Sequence, residues 1–194
     1  MTLANKITFL RMTGIPFFVV MVSLGGFWNY TAATFIFVFL ASTDCVDGIV
    51  ARRRKEVTVL GEFMDPLADK LLVTSALVYF TTVAWLHVHW WMVVTIISRE
   101  FIISGLRVLA ARRKISIPAL LSGKVKTTVQ LTAVIATLLI IMLRSASVKW
   151  SFYYSHFDFI YDLPMYLMLF AVASTIYSGV RYIKEYFYLF GDTI

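Results

Sequence analysis

Four aspartates, Asp44, Asp47, Asp65 and Asp69, stand within 26 residues of an otherwise strongly apolar chain. On helices, a spacing of three puts Asp44 and Asp47 on one face, and a spacing of four does the same for Asp65 and Asp69. The segment between the pairs is short, so two helices carrying them run antiparallel and bring four carboxylates to one depth. Inside a membrane each charge costs about 2.5–3.5 kcal/mol at the centre of a span, so the quartet calls for a positive partner. Clustered carboxylates without paired Cys or His suit a hard divalent ion such as Mg²⁺, Mn²⁺ or Ca²⁺ and argue against zinc. Four of them can hold two ions, and two ions ~3.5–4 Å apart clamp a phosphate during in-line displacement. Gly48, Ala51 and Gly61 leave room for a ligand or a neighbouring helix near the backbone, and Arg52 lies within reach of a phosphate. The competing structural reading pairs the aspartates with Arg52, Lys70, Lys124 or Lys126 as interhelical glue. Four acids with small residues at fixed spacing exceed what glue requires.

The elements that position these residues follow from composition. The chain has 194 residues, 60% hydrophobic and 15% charged, against roughly 45–50% and about 25% in soluble domains. An all-α integral membrane protein is expected, with six transmembrane helices in one bundle and a single domain over residues 1–194. The six spans read as Ile7 to Leu24, Tyr30 to Ala51, Asp65 to Leu86, Trp90 to Ala111, Ser122 to Leu143 and Met165 to Phe190, each about the length of a bilayer crossing. The first is read as a retained span, since no small-residue cleavage site follows it. Lys and Arg gather near the termini and in the Arg52 to Leu60 and Arg112 to Leu121 loops, while the opposite loops carry Arg144 and Lys149. The basic side, with both termini and the aspartates, is therefore expected to face the cytoplasm at the membrane surface. The net charge of +7 reads as this topology signal and as attraction to anionic lipid, not as a nucleic-acid footprint. Cys45, a lone cysteine, reads as buried filler, and His87, His89 and His156 on the outer side receive no chemistry. The stretch from Arg144 to Pro164, dense in aromatics between Trp150 and Tyr161, is expected to lie along the outer interface.

The pattern Asp44-x2-Asp47-Gly48-x2-Ala51-Arg52-x8-Gly61-x3-Asp65-x3-Asp69 resembles, at each of its eight fixed positions, the signature of the CDP-alcohol phosphotransferases. The resemblance implies a six-helix membrane enzyme, usually a homodimer, that transfers the phosphatidyl group of a CDP-linked lipid to an alcohol and releases CMP. It implies that Asp44, Asp47, Asp65 and Asp69 bind Mg²⁺ or Mn²⁺, two ions in all, with Asp69 also the general base. Gly48, Ala51, Arg52, Thr58 and Gly61 are implied to cradle the CDP moiety. Asn5, Thr8 and Arg11 recur every three residues on the first helix, so their polar atoms are expected to face the nucleotide cavity or, alternatively, to mark the helix start and interface.

Acceptor choice must be read outside the signature. Glu100, Ser104 and Arg107 share one face of the fourth span, and Lys124 and Lys126 open the fifth. Arg107, Lys124, Lys126 and Arg11 are expected to form a basic pocket beside the metals, suited to an acceptor carrying its own phosphate. The alternative is that the lysines snorkel to the interface. Arg99 and Glu100 lie deeper, where an interhelical pair is as fitting as a substrate contact. The segments "NKITFLR", "MDPLADK", "SREFIISGLR" and "GKVKTTVQ" are similar to the branch of the family that joins CDP-diacylglycerol to glycerol 3-phosphate, the phosphatidylglycerophosphate synthases. Inositol phosphate, serine or phosphatidylglycerol as acceptor is the runner-up. A divalent-cation transporter is the rival from another class, and it would need acids near the membrane midplane, whereas these gather at one end.

Overall fold

The computed structural model describes residues 3–54, 59–112, 121–150 and 158–186, with side chains described over 8–43, 68, 70–108, 110, 123, 125–149 and 159–186. Six long helices follow one another: α1 Leu3–Leu24, α2 Phe27–Arg54, α3 Val59–Thr82, α4 Trp90–Arg112, α5 Leu121–Trp150 and α6 Asp158–Tyr186, with a 3₁₀ turn at Ala84–Leu86 before α4. No strand occurs among the described residues. Helices satisfy their own backbone hydrogen bonds, which is what a chain this apolar needs where water is absent. Val125–Lys149 and Phe159–Tyr186 are each long and apolar enough to cross a membrane.

Only Gly25 and Gly26 separate α1 from α2, with φ of +68° and +84°. Both values lie in the left-handed region that glycine enters without a Cβ penalty, so the chain reverses in two residues. Asn29 Nδ2 donates to the Gly25 carbonyl at 2.8 Å and the Tyr30 amide to that of Gly26 at 2.9 Å. The bundle is closed by α1 packing on α2 and α3, α2 on α5, α5 on α6, and α6 on α4. Its main core takes Phe18, Phe37, Phe80, Leu77, Ile96, Leu138 and Met168. A smaller cluster of Ile103, Leu106, Ala110, Tyr182 and Tyr186 joins α4 to α6 at the end where α4 finishes. Large apolar side chains also cover the outside, among them Phe9, Phe17, Phe35, Trp90, Phe101 and Phe170. A bundle apolar both within and without matches hydrocarbon as its solvent.

The helices outrun the spans read from hydropathy. α2 continues to Arg54 and α3 starts at Val59, leaving four residues between them, and α3 gives way at Thr82 to the 3₁₀ turn. α5 extends to Trp150 and α6 begins at Asp158, so residues 144–150 and 158–164 of the stretch expected to lie along the outer interface belong to two long helices, while its aromatic centre, 151–157, lies outside the described residues. Hydropathy marks where the residues are apolar, whereas a helix continues until its hydrogen bonding is interrupted. The cations at this end of the bundle rest on aromatic rings. The Arg144 guanidinium lies 4.1 Å from the Trp85 ring centroid and 5.0 Å from that of Tyr161, and Lys149 Nζ lies 4.6 Å from Trp28.

Candidate functional site

All four aspartates lie on helices, Asp44 and Asp47 towards the end of α2 and Asp65 and Asp69 near the start of α3. Four residues join these helix ends, so both ends sit at the same end of the bundle. Counting 1.5 Å per residue back from the connection, Asp47 and Asp65 lie at roughly 9–11 Å, and Asp44 and Asp69 at about 15 Å. The pairs are therefore level. Their side chains lie outside the described ones, as do those of Asn5, Gly48, Ala51, Arg52, Gly61 and Lys124; Thr58 falls in the undescribed connection. Among the described residues, no group of three or more His, Cys, Asp or Glu comes together. Carboxylate oxygens from paired helix ends are nevertheless a donor set that fits a hard divalent ion.

Beside these helix ends lies a cavity of about 330 Å³ between α1, α2, α3, α4 and α5. Arg11 from α1, Lys70 from α3, Glu100 from α4 and Lys126 from α5 supply its charge, and Leu40, Leu72, Leu77, Ile96 and Ile135 its apolar wall. Among the described lining residues, three cations face one carboxylate. Arg11 is 2% exposed and Lys126 2% exposed, so both charges are held inside the bundle instead of snorkelling to its surface. Thr8, one turn before Arg11, is buried too.

Lys70 and Lys126 are fixed by α4. Glu100 accepts from Lys126 Nζ and, at 3.3 Å, from Arg99 Nη1. Lys70 Nζ donates to Ser104 Oγ, which in turn donates to the Glu100 carbonyl at 2.7 Å. Arg99 Nη2 reaches across to Ser178 Oγ on α6 at 2.7 Å, and its stem lies 3.1 Å from where a Cβ on Gly179 would stand. Only a residue without a side chain lets α6 approach this closely. Of the two readings of Arg99 and Glu100, the structure shows the pairing one: the two meet within α4, and each also bonds to another helix.

Arg107 is not brought to the cavity. Its Nε donates to Tyr182 Oη at 3.2 Å, with the guanidinium 5.7 Å from that ring's centroid. One turn beyond Ser104, it turns towards α6 and not towards Lys126. Two residues that sequence reasoning left out of the site belong to this cavity. Lys70 had entered only as a possible partner for the aspartates, although its place directly after Asp69 was a usable signal. Glu100 reads from sequence as either a pairing residue or a substrate contact, and its pairing with Lys126 depends on how α4 and α5 meet, which spacing along one helix does not reveal.

The sequence of the CDP-alcohol phosphatidyltransferase family matches residues 1–177. A CDP-diacylglycerol–glycerol-3-phosphate 3-phosphatidyltransferase of Bacillus subtilis is 40% identical over 149 residues, covering 71% of this chain and 76% of its own. Proteins of the same name from Yersinia enterocolitica and Escherichia coli K12 are 41% and 43% identical, over 68% and 66% of this chain and 74% and 71% of theirs. With the eight-residue signature on the paired ends of α2 and α3, and a family match that runs through five helices into α6, the chain belongs to the CDP-alcohol phosphatidyltransferases, a family of integral membrane enzymes.

Proposed function

We propose that this protein transfers the phosphatidyl group of CDP-diacylglycerol to glycerol 3-phosphate, giving phosphatidylglycerophosphate and CMP. The observation that carries the reading is the juxtaposition of the four-aspartate signature with a cavity into which Arg11 and Lys126 bring buried positive charge and Lys70 a half-buried one. A phosphate-bearing acceptor suits this excess of cations over carboxylates among the described lining residues better than serine, which brings no phosphate. Like the relatives named above, the chain would then act on a lipid whose acyl chains remain in the bilayer while its head enters the site.

In this reading Asp44, Asp47, Asp65 and Asp69 hold two divalent ions, Mg²⁺ or Mn²⁺, which when bound supply charge stabilisation to the pyrophosphate. Gly48, Ala51, Arg52, Thr58 and Gly61, with Asn5 and Thr8 from α1, seat the CDP moiety. Asp69 takes the proton from the acceptor's hydroxyl as that oxygen attacks the lipid-bearing phosphorus and CMP leaves. Lys126 and Arg11 bind the acceptor's phosphate. Lys124 and Arg107 complete the basic set at this end, Arg107 through its charge, because its Nε is engaged by Tyr182. The chain works as a homodimer in the cell membrane, with both termini and the site on the cytoplasmic side, where Lys and Arg are concentrated.

The test is CMP release by detergent-purified protein given CDP-diacylglycerol, Mg²⁺ or Mn²⁺, and each of glycerol 3-phosphate, inositol phosphate, serine and phosphatidylglycerol. Release with glycerol 3-phosphate alone, abolished by EDTA, is the expected result. Release with another acceptor and not with glycerol 3-phosphate would refute the acceptor assignment. Asp69→Asn is expected to lower turnover at least about 10²-fold while the purified protein keeps its helical circular dichroism; near-normal turnover would remove Asp69 as the base.

A further inference from the structure

Gln130 stands one turn after Lys126 on α5, on the same face, and borders the same cavity. It is 7% exposed, and its Oε1 is buried without a hydrogen-bond partner. Such an atom forfeits the hydrogen bonds it had in water, a cost of about 1–3 kcal/mol, and native proteins seldom tolerate it without a reason. Gln130 therefore combines unused hydrogen-bonding capacity with a position next to the acceptor space. Rotation about its terminal bond exchanges amide oxygen and nitrogen, so the side chain can offer an acceptor or a donor. A hydroxyl, itself both donor and acceptor, can meet the amide in either orientation.

We infer that Gln130 recognises the hydroxyl of the acceptor that does not react, and so makes the enzyme selective for a polyol phosphate over a simple hydroxyalkyl phosphate. The inference rests on the acceptor reading above. Glycerol 3-phosphate carries two hydroxyls; the terminal one attacks and the one on C2 must be recognised by a group that is not consumed. One helical turn, about 5.4 Å, separates Gln130 from Lys126, comparable to the reach from the phosphate of such a molecule to its hydroxyls. Around it the wall mixes apolar Leu131 and Ile135 on α5 and Leu77 and Ile96 across from it with the hydroxyls of Thr127, Thr128 and Thr132 on α5 and Thr74 on α3. A site with a hydrogen-bonding group for a hydroxyl discriminates against the analogue that lacks it, because the group is then left unpaired.

The experiment measures kcat/KM for glycerol 3-phosphate and for 3-hydroxypropyl phosphate, which lacks only the C2 hydroxyl, in the unaltered enzyme and in Gln130→Met. The unaltered enzyme is expected to prefer glycerol 3-phosphate by about tenfold or more, and Gln130→Met to lose most of that preference, with the KM for CDP-diacylglycerol within twofold. The ratio is taken within one preparation, so any inactive fraction cancels. Gln130→Leu, tested in parallel, is expected to behave alike, and both variants to keep or raise the thermal midpoint because an unpartnered polar atom is removed. A preference reduced by less than threefold in both variants, or no preference in the unaltered enzyme, overturns the inference. So does a lowered midpoint in both with the preference intact, which would mark a purely structural amide. Absence of any turnover of glycerol 3-phosphate by the unaltered enzyme, with CMP release from another acceptor, is the separate result that removes the acceptor reading itself.

Discussion

Lys126 and Glu100 form the most consequential side-chain pair in the described part of the molecule, because α5 delivers the cation and α4 the acid that holds it. The Lys126 side chain is 3% exposed and that of Glu100 24%. A charge this enclosed is tolerated while its partner remains and becomes costly once the partner is removed. Glu100→Gln is expected to destabilise the purified protein by about 1–3 kcal/mol, read as a lower midpoint of unfolding in detergent. The double variant with Lys126→Met should be no less stable than Glu100→Gln alone, since the stranded cation is gone; additive losses would show that the two side chains act independently. Lys126→Met alone should raise the KM for glycerol 3-phosphate about ten- to hundredfold, the worth of a hydrogen bond to a charged group. The KM for CDP-diacylglycerol should move less than threefold; equal effects on both substrates would reassign the residue to the nucleotide or to structure.

At the scale of elements, α4 is the hub through which the site is assembled. Within three turns it presents Arg99, Glu100, Ser104 and Arg107, which bond to α6, α5, α3 and α6 again. Ser178→Ala removes the acceptor for Arg99 in a buried place where Gly179 has brought the helices together, and should cost about 1–3 kcal/mol in unfolding free energy. An unchanged midpoint would mean that Arg99 finds another partner. The α1–α2 reversal offers a cleaner backbone test. A Cβ on Gly26 would meet nothing within 4 Å, yet φ there is +84°. Gly26→Ala should therefore destabilise by about 1–2 kcal/mol through backbone strain alone, and a neutral result would show that the turn relaxes to negative φ.

For the whole molecule, orientation decides whether water-soluble acceptor reaches the cavity from the cytoplasm. In a Cys45→Ala background, a cysteine at Lys114 should be labelled by impermeant thiol reagent only after the cells are opened, and one at His89 in intact cells; the reverse pattern would invert the topology. The six-helix bundle, its two apolar faces and the placement of the aspartates on α2 and α3 were legible in the sequence, because membrane spans announce themselves by uninterrupted hydrophobicity and because acids in such spans are too costly to be incidental. The eight-residue signature likewise lies within one helix pair, where spacing along the chain nearly determines spacing in space. Helix ends were less legible, since polar and aromatic residues at Trp150 and Asp158 are compatible with either an interfacial segment or a prolonged helix, and hydropathy does not distinguish them. Interhelical partners were least legible. That Arg107 turns to Tyr182, that Lys70 joins Ser104, and that Lys126 meets Glu100 depend on how far each helix is rotated about its axis and how closely Gly179 lets α6 approach. The sequence by itself thus determined the solvent, the elements and the family signature on α2 and α3; only tertiary packing decided which cations line the cavity beside those helix ends and which amide is left with an unfilled hydrogen bond, because those contacts join residues on different helices whose rotation no local pattern records.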